Sequence, residues 1–183
     1  MNLQDDNYLM ELVKNDDKDA YDSIVKKHRS SAITFAYSFV YDLFLAEDIV
    51  QDVFVNIYVR RMNYRPVSKF RTFLFQSVRN RCIDHLRRNK VRAAADLKSI
   101  SEALNCSAED EFLIAEREKL IHELMNSLKE DYRTALYLSA AEGISYGEIA
   151  KIMKKTLPQV KILIYRARKK IKSQYREVSG DEK

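Results

Sequence analysis

Ile144-Ser145-Tyr146-Gly147-Glu148-Ile149 and, a few residues on, Thr156-Leu157-Pro158-Gln159-Val160 decide how this chain is read. In each stretch a hydroxyl residue is followed three positions later by Glu or Gln, the spacing at which the two side chains cap a helix start reciprocally. Ile144 and Ile149 flank the first box as a hydrophobic staple, and Pro158 falls in a first turn, where a missing N–H costs little. Lys154-Lys155-Thr156 interrupts the apolar run Ile149, Ala150, Ile152 and Met153, so the first helix is short and the second follows at once. Gly143 supplies the stop for the helix before them. Val160, Leu163, Ile164, Ala167 and Ile171 form the inward face of the second helix. Gln159, Lys161, Ile162, Tyr165, Arg166, Arg168, Lys169 and Lys172 form its outward face.

Two capped helices with a short turn, the second basic on its outer face, describe a helix-turn-helix shaped for a DNA major groove. The first turn of such a helix approaches base edges, and its later cations meet phosphates. Thr156, Leu157, Pro158, Gln159, Lys161 and Ile162 belong to the first group; Tyr165, Arg166, Arg168 and Lys169 belong to the second. Gln159 suits adenine and Ile162 suits a thymine methyl.

Charge extends the argument along the chain. The net charge of +5 hides a balance of −6 over residues 1–56, +10 over 57–98, −7 over 99–149 and +8 over 150–183. This repeated acid-then-base order suggests two modules, each with one basic face that attracts phosphate.

Helical periodicity fills both. Ala46, Ile49, Val50, Val53, Phe54, Ile57 and Tyr58 mark one continuous helix face, opposite a polar, mostly acidic stripe of Glu47, Asp48, Gln51, Asp52 and Asn56. Upstream, helices are expected over 8–13 and 20–28, with a buried one over 32–45. Pro66 breaks the pattern, and a new helix runs from Phe70 to about Arg88. Residues 89–109 read as a flexible linker, helices are expected over 112–128 and 132–141, and 177–183 form a tail. The fold class is therefore all-α: a domain over 1–88 and a helix-turn-helix domain over 110–176.

Other function classes find little support. Cys82 and Cys106 form no disulfide framework, and His28, His85 and His122 have no ligand spacing, so neither metal nor cofactor is expected. The most apolar stretch, 32–46, is too short for a membrane span and contains Asp42. The N-terminus carries no secretory signal, which fits a cytoplasmic protein. No glycine-rich phosphate loop or nucleophile-base arrangement points to an enzyme.

Glu142-Gly143-Ile144-Ser145-Tyr146-Gly147-Glu148-Ile149-Ala150, with Val160-Lys161 and Tyr165-Arg166-Ala167-Arg168-Lys169-Lys170, resembles the promoter-reading module of bacterial sigma factors. Ala46-Glu47-Asp48-Ile49-Val50-Gln51-Asp52-Val53-Phe54 resembles that family's core-polymerase-binding helix. Phe70-Arg71-Thr72-Phe73-Leu74-Phe75, Arg79-Asn80 and Ile83-Asp84-His85-Leu86-Arg87-Arg88 resemble its segment for opening and reading the −10 element. With two modules and a short linker, the chain is similar to the extracytoplasmic-function (ECF) group.

The resemblance implies that Glu47, Asp48, Gln51, Asp52 and Asn56 meet the clamp of RNA polymerase core. It implies −10 contacts from Tyr64, Lys69, Arg71, Phe73, Arg79, Asn80, Arg87 and Arg88, and −35 contacts from the helix-turn-helix residues named above. Phe70, Phe73 and Phe75 lie beside cations, as single-strand binding requires, although Phe73 and Leu74 also suit packing. Phe73 stands where the family often has Trp, and Ile162-Leu163 where it often has Ser-Arg. A repressing anti-sigma partner, commonly membrane-tethered, is also implied, with no membrane insertion by this chain itself. The alternative is a stand-alone dimeric helix-turn-helix regulator, which leaves Ala46 to Phe54 and Phe70 to Arg88 without a task.

Overall fold

The computed structural model describes residues 5–65, 68–95, 123–125 and 127–179, and all regular structure among them is helical. Helix α1 (Asp6–Lys14) starts at Asp5, whose carboxylate accepts from the Asn7 N–H. Helix α2 (Lys18–Val40) starts at Asp17, which accepts from the Ala20 N–H. Here the structure departs from expectation, because α2 does not break after His28. The Ser31 and Thr34 hydroxyls donate to carbonyls of the same helix, His28 and Ser30, so this polar stretch remains helical.

The break comes instead at Tyr41, which is left-handed with φ 54°. Asp42 then accepts from the Leu45 N–H and opens α3 (Leu43–Val59). What reads as an interruption of an apolar stretch is the cap of the next helix. Leu43 and Phe44 consequently lie on the surface rather than within a buried helix. Along α3, Ala46, Ile49, Val50, Val53, Phe54 and Ile57 are buried as the period requires, and Tyr58 is half-buried against the Tyr21 ring.

A 3-10 turn (Arg61–Asn63) follows, and α4 (Phe70–Ala95) continues seven residues beyond Arg88. The remainder of the expected linker, 96–109, lies outside the described residues, as does most of the helix expected over 112–128. The second module comprises α5 (Glu130–Ala140), α6 (Tyr146–Met153) and α7 (Leu157–Ser179). Helix α7 thus takes in the first residues of the expected tail; 180–183 lie outside the described residues.

Apolar burial joins the two modules. Phe35, Phe70, Leu74, Phe75 and Val78 are fully buried in one cluster that also contains Leu138, Ile149, Ile152 and Val160. The Phe35 ring meets Phe75 edge-on at 5.1 Å and Tyr137 of α5 at 5.4 Å. Such aromatic pairs add about 0.5–1.5 kcal/mol each beyond the area they bury. Helix α6 packs on α4, so the sigma-like segments form two helical modules with a common apolar seam.

Candidate nucleic-acid interface

Both capping boxes close. The Ser145 hydroxyl accepts from the Glu148 N–H at 3.4 Å, and Glu148 Oε2 accepts from the Ser145 N–H at 3.2 Å. Ile144 and Ile149 are buried as the staple requires. Lys154, left-handed with φ 54°, ends α6. Two residues later Thr156 Oγ1 accepts from the Gln159 N–H at 3.4 Å, and Gln159 Oε1 accepts from the Thr156 N–H at 2.8 Å. The turn is therefore held from both sides, which fixes α7 relative to α6.

On α7, Val160, Ile164 and Ala167 are buried, with Leu163 and Ile171 half-buried. Thr156, Leu157, Pro158, Gln159, Lys161, Ile162, Tyr165, Arg166, Arg168 and Lys169 are all exposed. Tyr165 is 67% exposed and Ile162 48%, so neither side chain belongs to the core. The Gln159 carbonyl oxygen caps α7, which leaves the donor role to its amide nitrogen.

The first module contains a cavity of about 570 Å³ between α3, the 3-10 turn and α4. Its volume falls in the small-ligand range of about 300–1,000 Å³. Of the residues expected at the −10 element, Tyr64, Phe73 and Asn80 line it. Arg60, Arg65 and Arg81 line it too and were missed by motif; the basic block 57–98 was the signal that pointed to them. Asn56, expected to face polymerase, also borders this cavity.

Two aromatic expectations need correction. Phe70 and Phe75 are fully buried, because at helical spacing they face the core shared with α2, and they offer no ring to a DNA strand. Tyr64 is only 7% exposed and its hydroxyl donates to Asn7 Oδ1, so it forms cavity wall rather than open surface. Burial, with Asp6, Glu11 and Asp5 nearby, pushes its phenol up to about 12.

Lys69, Arg71 and Arg79 lie elsewhere, at the junction of the modules. Arg71 donates to Glu142, Lys69 pairs with Glu148 at 3.2 Å, and Arg79 reaches Glu130 at 3.4 Å and Asp131 at 3.6 Å. All four carboxylates belong to the second module. The Ser145 hydroxyl first, and then Lys69, hold Glu148 below the usual carboxylate range despite its partial burial. Arg133 of α5 crosses the junction in the other direction, over the Tyr41 ring. The Nε atoms of Arg79 and Arg133 are buried there without a hydrogen-bond partner. Each such orphan costs about 1–3 kcal/mol and weakens the junction. Arg87 and Arg88 are exposed farther along α4.

The outer face of α3 shows Asp48, Gln51, Asp52 and Asn56 exposed and Glu47 half-exposed. Arg29 pairs with Glu47 at 3.1 Å, and Arg81 pairs with Asp52. Exposed apolar side chains continue this face: Phe44 (82%), Val55, Val59 and Met62. Val55 was legible in sequence as an apolar residue on the polar side of the α3 period. Phe44 was hidden by its assignment to a buried helix.

A lined cavity beside a basic helix in one module and a basic recognition helix in the other define a two-module, all-helical nucleic-acid-binding protein. The sigma-70 region 2 family matches residues 24–92, and the sigma-70, region 4 family matches 118–171. The chain is 34% identical to the RNA polymerase sigma-H factor of Pseudomonas aeruginosa over 178 residues, 92% of each chain. It is 28% identical to the ECF RNA polymerase sigma factor SigM of Bacillus subtilis over 161 residues, 88% of this chain and 98% of that one. The fold matches that of the sigma factor RpoE of Bartonella quintana, solved with the anti-sigma factor NepR, at a TM-score of 0.70 and 22% identity, covering 89% of this chain and 98% of that one. The chain belongs to the bacterial RNA polymerase sigma factors of the ECF group. No helix among the described residues is long and apolar enough to cross a membrane.

Proposed function

We propose that this protein binds RNA polymerase core and directs promoter-specific initiation, reading a −10 element with its first module and a −35 element with its second. The observation that carries this reading is the coexistence of the α3–α4 cavity, large enough to admit an unstacked base, with the capped recognition helix α7. Opening a duplex means holding a base out of the stack, and a pocket with polar and aromatic walls offsets part of the unstacking cost. Asn80, Tyr64 and Phe73 supply those walls, with Arg60 and Arg65 drawing the phosphates. Helix α7 presents Gln159, Lys161 and Ile162 to base edges, with Arg166, Arg168 and Lys169 on the backbone. Core polymerase docks on the outer face of α3, where Asp48, Gln51 and Asp52 lie among Phe44, Val55 and Val59.

The protein performs no bond chemistry and works in the cytoplasm, where its polymerase is. Arg71 and Arg79 are occupied by carboxylates of the second module, so their engagement of promoter phosphates requires the modules to part. Carrying two weak DNA modules on one polymerase raises their effective concentration, and core binding is the event that makes them bind together. An anti-sigma protein opposes this by stabilising the packed arrangement.

The decisive experiment mixes the purified protein with core enzyme on a library of genomic templates and sequences the transcripts. Transcripts with shared upstream boxes support the reading, and their absence overturns it. A stand-alone dimeric regulator instead predicts dimers on half-site duplexes, and it leaves the cavity without a role.

A further inference from the structure

Helix α1 lies before every segment matched by the sigma-70 families, yet it holds the cavity together from behind. A single atom, Asn7 Oδ1, accepts from the Tyr64 hydroxyl at 2.7 Å and from the Phe70 N–H at 3.1 Å. The Phe70 N–H is one of the first-turn donors that α4 cannot satisfy internally, so Asn7 caps α4 from another helix. Tyr64 is a wall of the cavity, and its ring contacts Phe73, a second wall, at 5.6 Å. The α1–α2 turn holds the other end of the α3–α4 connection, where Asp16 pairs with Arg61. Arg61 in turn lies 4.6 Å from the Tyr58 ring and donates to the Tyr58 carbonyl. Lys14 of α1 sits 5.8 Å over the Tyr64 ring.

We infer that Asn7 is a positioning residue for −10 recognition: α1 sets the shape of the base-holding cavity by fixing Tyr64 to the first turn of α4. The inference rests on the function proposed above and adds a residue that touches no DNA. Its physical basis is that both bonds converge on one acceptor. Without that oxygen, the Tyr64 hydroxyl loses its partner and the tie between Tyr64 and α4 is gone. The cavity wall then shifts, and small misplacements of a positioned group cost large factors in rate. Core binding through α3 and −35 reading through α7 involve neither bond.

The test uses full-length protein with RNA polymerase core on a template library randomised across both promoter boxes, with core affinity measured separately. Asn7→Leu keeps the side-chain volume and removes the acceptor; Asn7→Asp keeps an oxygen that accepts both bonds. Asn7→Leu is expected to lower initiation by about tenfold and to blur base preference at the −10 box alone. Core affinity and −35 preference stay within about twofold, and Asn7→Asp restores the −10 preference. Unchanged −10 preference in Asn7→Leu overturns the inference, and so does parallel loss of core binding and both boxes. If Asn7→Leu does not fold, Tyr64→Phe decides: it removes the hydroxyl that donates to Asn7 and keeps the ring on the cavity wall, and a wild-type −10 preference in that variant overturns the inference. A wild-type protein that gives no promoter-dependent transcripts instead overturns the proposed function.

Discussion

Arg71 of α4 and Glu142, which precedes the helix-turn-helix, form an ion pair across the junction of the two modules, and the Glu142 side chain is only 7% exposed. A cation expected on DNA is thereby held by a carboxylate of the same chain. Glu142→Gln leaves Arg71 with a neutral partner and loosens the junction. Measured by small-angle scattering or by fluorescence transfer between the modules, the variant is expected to open more readily. Its free form should bind single-stranded DNA several-fold more tightly, because a charge-assisted bond is replaced by a neutral one that competes by about 1 kcal/mol less. Wild-type compactness together with wild-type DNA affinity would count against this competition.

Glu148 makes the same junction sensitive to acid. Its carboxyl lies below the usual carboxylate range in the folded protein, through the Ser145 hydroxyl and then Lys69. A depressed folded value means that the stabilisation is present above the unfolded pKa and is lost as pH falls through the folded one. Thermal melts from neutral pH to about pH 3 should show this loss, and Glu148→Gln should flatten it, since Gln still completes a capping box. Parallel acid profiles for the two proteins would remove Glu148 as a cause.

Gln159 separates the fold of the recognition helix from its reading of DNA. Gln159→Glu keeps an oxygen for the Thr156 N–H, and so leaves the thermal midpoint near that of wild type, but it removes the amide donor and adds a negative charge near the phosphates. Binding at the −35 box is expected to weaken by about 1–3 kcal/mol, as read by gel shift or footprinting with holoenzyme. Arg166→Ala should instead weaken binding evenly across sequences and reduce the salt dependence by about one counterion.

Val59 tests the outer face of α3. It is 67% exposed, so Val59→Asp should change stability by no more than about 0.5 kcal/mol. If core polymerase docks on this face, core affinity should fall by about tenfold, because a buried unpaired charge at an interface is costly. Undiminished affinity would move the docking site away from Val59.

Asn80→Ala addresses the cavity. Asn80 is exposed, so the fold should tolerate its loss, while permanganate reactivity of −10 thymines in the open complex should decrease several-fold. Equal reactivity would leave the cavity without a part in melting.

Much of this protein is local chemistry, and local chemistry is legible in sequence. The Ser145–Glu148 and Thr156–Gln159 boxes depend on residues three apart, and the buried faces of α3 and α7 depend on helical period, so both could be read before any fold was known. Where a local signal had two meanings, the reading failed. Asp42 read as a polar break, but with Tyr41 left-handed it caps α3 and brings Phe44 to the surface. Phe70 and Phe75 beside cations suited a stacking platform, yet α2 supplies a core that buries them.

The alternating charge shows the division most clearly. Composition along the chain revealed two acidic and two basic blocks. It carried no information on which block faces which, because an ion pair between residues as distant as Arg71 and Glu142 depends on how helices pack and not on spacing. Sequence alone determined the all-helical class, the capped helix-turn-helix and the family. Tertiary structure alone decided that carboxylates of the second module occupy the cations of the first, and that Asn7, in a helix with no motif, reaches the wall of the cavity. Caps and periodic faces arise within a few residues, whereas these contacts exist only once an apolar seam has brought distant helices together.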